Sequence, residues 1–150
     1  MQKGKNFMKD LVCTLQTAKR MAELGIKIDT VFYWVKAKAP IGIWVWTIIE
    51  RYRDSTIFAD GKADRDSLLP APTAEEAGKI LPKQVDYDVS ENGYRSLNLT
   101  VGKTIINDGY YVMYSDPHPA NKVPVYSQHA DTLSESLCLM ACWLKEKGMI

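Results

Sequence analysis

A chain of 150 residues, 46% hydrophobic and 25% charged, has the make-up of one globular domain. At that length it can bury roughly 70% of the surface its unfolded form exposes, so no disulfide or metal staple is required. A net charge of +1 leaves no electrostatic footprint for nucleic acid, and the longest apolar runs, residues 41–49 and 137–144, are far too short to span a bilayer.

Residues 1–6 are basic and lead into no signal-type apolar region, so they are expected to be a frayed end ahead of a single domain over residues 7–150. Thr14 is placed to cap a helix from Leu15 to Leu24, which Gly25 ends and Ile26 follows with an apolar contact. Residues 30–36 are aromatic and β-branched and read as a strand. Val31, Tyr33 and Val35 face one way, Phe32 and Trp34 the other, so both faces should be covered. Ala39-Pro40-Ile41-Gly42 is a turn, and residues 43–49 form a second strand with Trp44 and Trp46 on one face. Residues 48–53 read equally as the end of that strand or as a short helix.

Residues 60–67 are expected to be polar loop, and Leu69-Pro70-Ala71-Pro72 an extended lead-in. Thr73 with Glu76 makes a capping box for a short helix that Pro82 closes and whose face is Ala77, Ile80 and Leu81. From Gln84 to Tyr114 the chain alternates as a three-stranded meander. Asn92-Gly93 and Asn107-Asp108-Gly109 are its turns, and one of its faces is polar. Residues 123–129 read as an edge strand, because Pro124 cannot donate to a ladder.

The last helix, residues 132–147, shows a second capping box in Thr132 and Glu135 and a stop at Gly148. Leu133, Leu137, Met140, Ala141 and Leu144 form its apolar stripe. Leu139 and Trp143 form a second apolar edge, with Cys138 and Cys142 beside them, so this helix should be covered on more than one side. Trp143 is expected to be mostly buried, under the first helix or under a second subunit. The predicted class is therefore α+β: an antiparallel sheet, hairpin plus three-stranded meander, with N- and C-terminal helices packed on one face.

Candidate chemistry is sparse. His118 with Asp116, and His129 with Asp131, supply base and carboxylate, but no nucleophile stands at a defined spacing from either. Cys138 and Cys142 share a helix face, and Cys13 lies far away in sequence. The pattern lacks the paired short spacings of a zinc site, and an odd number of cysteines points to reduced thiols in a cytosol. Asp60, Asp64, Asp66 and Glu75 fail as a calcium loop because Leu69 stands where glycine is needed. Neither Gly61-Lys62 nor Gly102-Lys103 has the upstream glycines of a phosphate loop, so no cofactor is implied. The aromatic cluster Phe32, Tyr33, Trp34, Trp44, Trp46 and Tyr52 suits stacking on a sugar or an interface if exposed, and a core if buried.

The charge is unevenly spread. Residues 1–53 carry a net +6 and residues 54–150 a net −5, so the halves either complement each other within the fold or make a dipolar surface suited to head-to-tail association.

Several segments, Leu15-Gln16-Thr17-Ala18-Lys19-Arg20 to Gly25, Val31-Phe32-Tyr33-Trp34, Ala71-Pro72-Thr73-Ala74-Glu75-Glu76 to Pro82, and the closing helix, together resemble a group of small proteins encoded in phages and prophages of gut bacteria. The resemblance covers about a third of the chain and implies a bacterial or phage origin, with no activity to carry over. The function expected is a non-enzymatic accessory or interaction protein, cytoplasmic and self-associating, with neither nucleic acid nor membrane as partner. The residues expected at its interface or binding surface are Trp34, Trp44, Trp46, Leu139 and Trp143. The runner-up is a small-molecule or carbohydrate binding module built on Trp34, Trp44 and Trp46. An enzyme using His118 and Asp116 comes third.

Overall fold

The structure, a computed structural model, describes residues 8–50, 58, 60–88, 94–116 and 124–150. The expected frayed end, the residues 51–53 that were open between strand and helix, the Asn92-Gly93 turn and His118 lie outside these.

Helix α1 (Leu15–Glu23) starts where the Thr14 hydroxyl accepts the Thr17 N–H, and stops at Gly25, whose φ of +70° suits only a residue without a side chain. The Ile26 N–H then donates to the Met21 carbonyl, 3.0 Å away. Strands β1 (Phe32–Lys38) and β2 (Trp44–Glu50) form the expected hairpin, pairing Phe32 with Glu50 through to Lys38 with Trp44. Both faces of β1 are covered, as the sequence predicts. Phe32 and Trp34 enter the main core, while Val35 packs with Ile49 and Ala63 in a second, smaller cluster that Tyr33, Ala37, Phe58 and Leu68 flank.

The polar stretch expected to be loop is instead strand β3 (Ala63–Pro70), paired antiparallel with the other edge of β1. Asp64, Arg65 and Asp66 point to water, so little apolar alternation marks this strand in the sequence. A register shift falls between Trp34 and Lys36, where a side chain takes up the ladder's role. The Lys36 N–H donates to the Ser67 hydroxyl at 2.8 Å, and that hydroxyl donates to the Asp64 carbonyl at 2.7 Å.

Helix α2 (Ala74–Ile80) has the predicted capping box with Thr73 and Glu76. The Glu76 carboxylate also accepts the Val31 N–H and the Thr30 hydroxyl, both at 3.1 Å, which ties the helix start to the beginning of β1. Strands β4 (Gln84–Asp88), β5 (Tyr94–Lys103), β6 (Tyr110–Ser115) and β7 (Pro124–Ala130) follow in a second antiparallel sheet, ordered β4-β5-β6-β7. The expected proline-bearing edge strand is thus β7. One face of this sheet is polar, with Gln84 bonded to Asn98 and Ser96 to Asp86 across strands; the other buries Val85, Leu97, Val112 and Tyr114.

Helix α3 (Leu133–Glu146) packs against β6 and β7 and against α1 and α2. Leu137, Cys138, Met140, Ala141, Cys142 and Leu144 are all buried, so it is covered on more than one side as its missing polar face requires. The α+β class with helices at both ends is as predicted. Hairpin and meander, however, belong to separate sheets of three and four strands among the described residues. Of the terminal helices, α3 makes the main contacts with the meander, and α1 packs chiefly on α3 and on β3 of the other sheet.

Candidate functional site

The aromatic cluster does not stay together. Trp34 is 7% exposed and belongs to the core, its indole N–H donating to the Cys13 carbonyl at 3.0 Å. Trp46 is half-buried between two cations, with the Lys19 and Lys36 ammonium groups 5.2 and 5.5 Å from its ring. Trp44 is 48% exposed. These residues and Ile48 share one face of the hairpin, since Trp34 stands opposite Ile48, Lys36 opposite Trp46 and Lys38 opposite Trp44. Cover is therefore lost step by step toward the turn. At the turn itself Ile41 is 80% exposed, and Ile43 and Val45 are exposed too.

The result is an apolar end of a hairpin on β2, which is the edge of its sheet among the described residues. It is rimmed by Lys19, Lys36 and Lys38, all exposed. The turn holds this end firmly. Ala39 and Ile43 bond at 2.7 Å, Gly42 donates to the Ala39 carbonyl at 2.8 Å, and Gly42 has a φ of +88°.

Trp143 and Leu139 are half-buried. Within the chain, Tyr126 of β7 lies against Trp143, ring centroids 4.0 Å apart, with Lys147 5.8 Å from the indole. Tyr126 stands opposite Tyr114 in the sheet, so it projects from the dry face that α3 packs on. Trp143 thus packs on the sheet of its own chain, while Trp44 is exposed and Trp46 half-buried.

The thiols are sequestered. Cys13, Cys138 and Cys142 are free and fully buried. A hydrogen bond with Cys13, together with burial, pushes the Cys138 thiol up, and burial pushes Cys142 up to about 11, so both stay protonated at neutral pH. Among the described residues no group of three or more His, Cys, Asp or Glu side chains is arranged to hold a metal ion. His129 is exposed on the polar face of the second sheet, its ring 6.3 Å from that of Tyr111.

Two features escape sequence reasoning. A cleft of about 730 Å³ runs between the starts of α2 and α3 and is lined by Asp10, Glu75, Asp108 and Asp131. Beside it, at the β5–β6 turn, Ile105 is 100% exposed and Ile106 92%. Two isoleucines inside a Thr-Ile-Ile-Asn-Asp-Gly turn are a legible anomaly, because turn positions favour small polar residues. The acidic cleft is not legible, since its four carboxylates come from distant parts of the chain. No protein-family profile, curated protein or solved structure matches this chain. No helix among the described residues is long and apolar enough to cross a membrane.

Proposed function

We propose that this is a non-enzymatic interaction protein of bacterial or phage origin that associates with copies of itself through the open end of the β1–β2 hairpin. The observation that carries this reading is the exposed run Ile41, Ile43, Trp44 and Val45 on an edge strand. Contiguous apolar surface on an unpaired edge favours association, and folds without a partner for it commonly blunt it with charges or proline. Here Lys36 and Lys38 stand opposite Trp46 and Trp44 on one face, while on the other face Val45 stands opposite Ala37. The three buried thiols fit a reducing compartment.

Sedimentation velocity over a range of concentrations tests the reading. The unaltered chain should associate, and Trp44→Glu should shift it toward monomer with its melting temperature little changed, because Trp44 lies outside the core. A chain monomeric at millimolar concentration would count decisively against self-association.

A second reading draws on Trp44 and Trp46, which share a strand face two residues apart beside Lys19 and Lys36. That arrangement suits stacking on a sugar or a planar anion. It requires tryptophan emission that is quenched by an oligosaccharide and loses that response in Trp44→Ala.

A further inference from the structure

The β5–β6 turn presents two isoleucines to water on a rigid support. The Thr104 N–H donates to the Gly109 carbonyl at 2.8 Å, and the Thr104 hydroxyl bonds both the carbonyl and the N–H of Gly109 at 3.1 Å. Asp108 takes a φ of +50°, within reach of the Lys103 ammonium at 3.6 Å. A side chain on Gly109 would lie 2.8 Å from the Ala130 carbonyl oxygen, so the close approach that seats the turn on β7 needs glycine. Ile105 and Ile106 are thus held outward by a fixed scaffold, and a partner that buries them has little loop to order.

The surroundings restrict the partner. Asp108, beside Lys103, is on the turn, and Asp131, Asp10 and Glu75 line the adjoining cleft, where Glu75 pairs with Lys79 at 3.4 Å and Asp10 and Asp131 carry the acidic character. Such a rim repels an anionic membrane surface and favours an apolar patch edged with cations. The hairpin end offers one: Trp44 lies on the face that carries Lys36 and Lys38, Ile41 is at the turn, and Ile43 and Val45 are exposed on the opposite face. The two lie on opposite sides of the chain's charge division, the hairpin in the half with net +6 and the turn in the half with net −5.

They are also apart in space. The Ala71 N–H bonds the Phe32 carbonyl at 2.9 Å, which places the Phe32 end of β1 near Thr73 at the cleft. The hairpin turn lies at the other end of β1, about 20 Å away along a seven-residue strand.

We infer that Ile105 and Ile106 of one molecule dock on the Ile41–Val45 hairpin end of the next, acidic rim against basic rim. This rests on the reading that the hairpin mediates self-association, and it names the surface that meets it. The two patches differ, so the contact is heterologous. Repetition of it closes into a ring or extends as a filament, whereas an isologous contact would stop at a dimer.

Complementation between blocked variants of the 150-residue chain tests the inference. Ile105→Asp with Ile106→Asp blocks the turn; Ile43→Glu with Trp44→Glu blocks the hairpin. All four side chains are exposed, and the milder pair Ile105→Ser with Ile106→Ser guards against a folding defect. Each blocked variant should be a folded monomer by circular dichroism and sedimentation, with self-association weakened on the order of a hundredfold. Mixed in equal amounts, they should form a one-to-one dimer that grows no further, because one intact patch of each kind remains. Added salt should weaken the unaltered assembly several-fold. If the turn-blocked variants associate as well as the unaltered chain, or if the mixture stays monomeric while the unaltered chain assembles, head-to-tail docking is overturned and hairpin self-association stands. If the unaltered chain is monomeric at millimolar concentration, both fall.

Discussion

Glu135 serves two helices. Its backbone N–H donates to the Thr132 hydroxyl at 3.2 Å, which starts α3. Its carboxylate accepts the Thr14 N–H at 2.7 Å and the hydroxyls of Thr14 and Thr17, which completes the start of α1. The spacing Thr132-x-x-Glu135 predicts a local capping box, and the hydroxyl half of it is present. The carboxylate half is turned to the other helix. An unsatisfied N–H at a helix start is the same acceptor target wherever it lies, and sequence spacing registers only the near one. Glu135→Ala should therefore lower stability by about 2 kcal/mol, measured by urea unfolding, since it strands donors at α1. A loss below about 0.5 kcal/mol, the usual range for a surface change, would refute the shared cap. Tyr114 makes a different residue-scale prediction. It is fully buried, its hydroxyl donates to the Pro82 carbonyl at 2.6 Å, and burial pushes its pKa up to about 12. The unfolded chain sheds this proton from the ordinary value near 10, before the folded one does. Stability from this group is thus whole below pH 10 and falls as pH rises toward 12. Absorbance titration should show one tyrosine ionising only there or on unfolding, and Tyr114→Phe should lack that component.

Among the elements, α3 shows how a pattern can be right about burial and silent about the partner. Leu139 and Trp143, four apart, demand a cover, and the sequence offers α1 or a second subunit. Within the chain Tyr126 covers the Trp143 ring because β7 is a neighbour α3 lies on, a fact of sheet order that no local signal carries. Trp143→Ala should destabilise by about 2–3 kcal/mol, less than a full core tryptophan because the ring is only partly buried, and should leave the molecular mass in solution unchanged. A change in mass with unchanged melting would restore the intersubunit reading. Strand β3 was hidden for a related reason. Its pairing with β1 rests on backbone bonds and on Ser67, while its first half faces water on the residues that would otherwise alternate. The meander, by contrast, was legible in its strands and in the faces they present, because one dry face forces period two; its registers were not, since the pairing of Val85 with Leu97 and of Asp88 with Tyr94 is three positions off what a two-residue Asn92-Gly93 turn would set. Gly102 shows the same logic on the other face, where the Tyr111 ring lies over it, 2.3 Å from where a methyl would sit.

For the whole molecule, the sequence contains the parts and leaves their grouping open. Hairpins are local, so each was readable; which hairpin joins which sheet is settled by contacts such as Trp34 with Cys13, 21 residues apart. The surface patches follow the same rule: the apolar hairpin was visible, and its exposure was not. One consequence concerns the order in which the molecule can be made. The cap on α1 comes from a residue 121 positions later, and Arg20 of α1 pairs with Glu146, 126 positions later, at 2.6 Å. During synthesis the first helix emerges long before its partners, too short at nine residues to hold itself. Until they emerge its cap and its ion pair are unmade, although the apolar hairpin end precedes them in the chain. A chain truncated after Asp131 should therefore show no protection of the α1 amides from hydrogen exchange, and protection in it equal to the full chain would refute this dependence. If the hairpin mediates self-association as proposed, that contact can form on crowded polysomes before the molecule is finished.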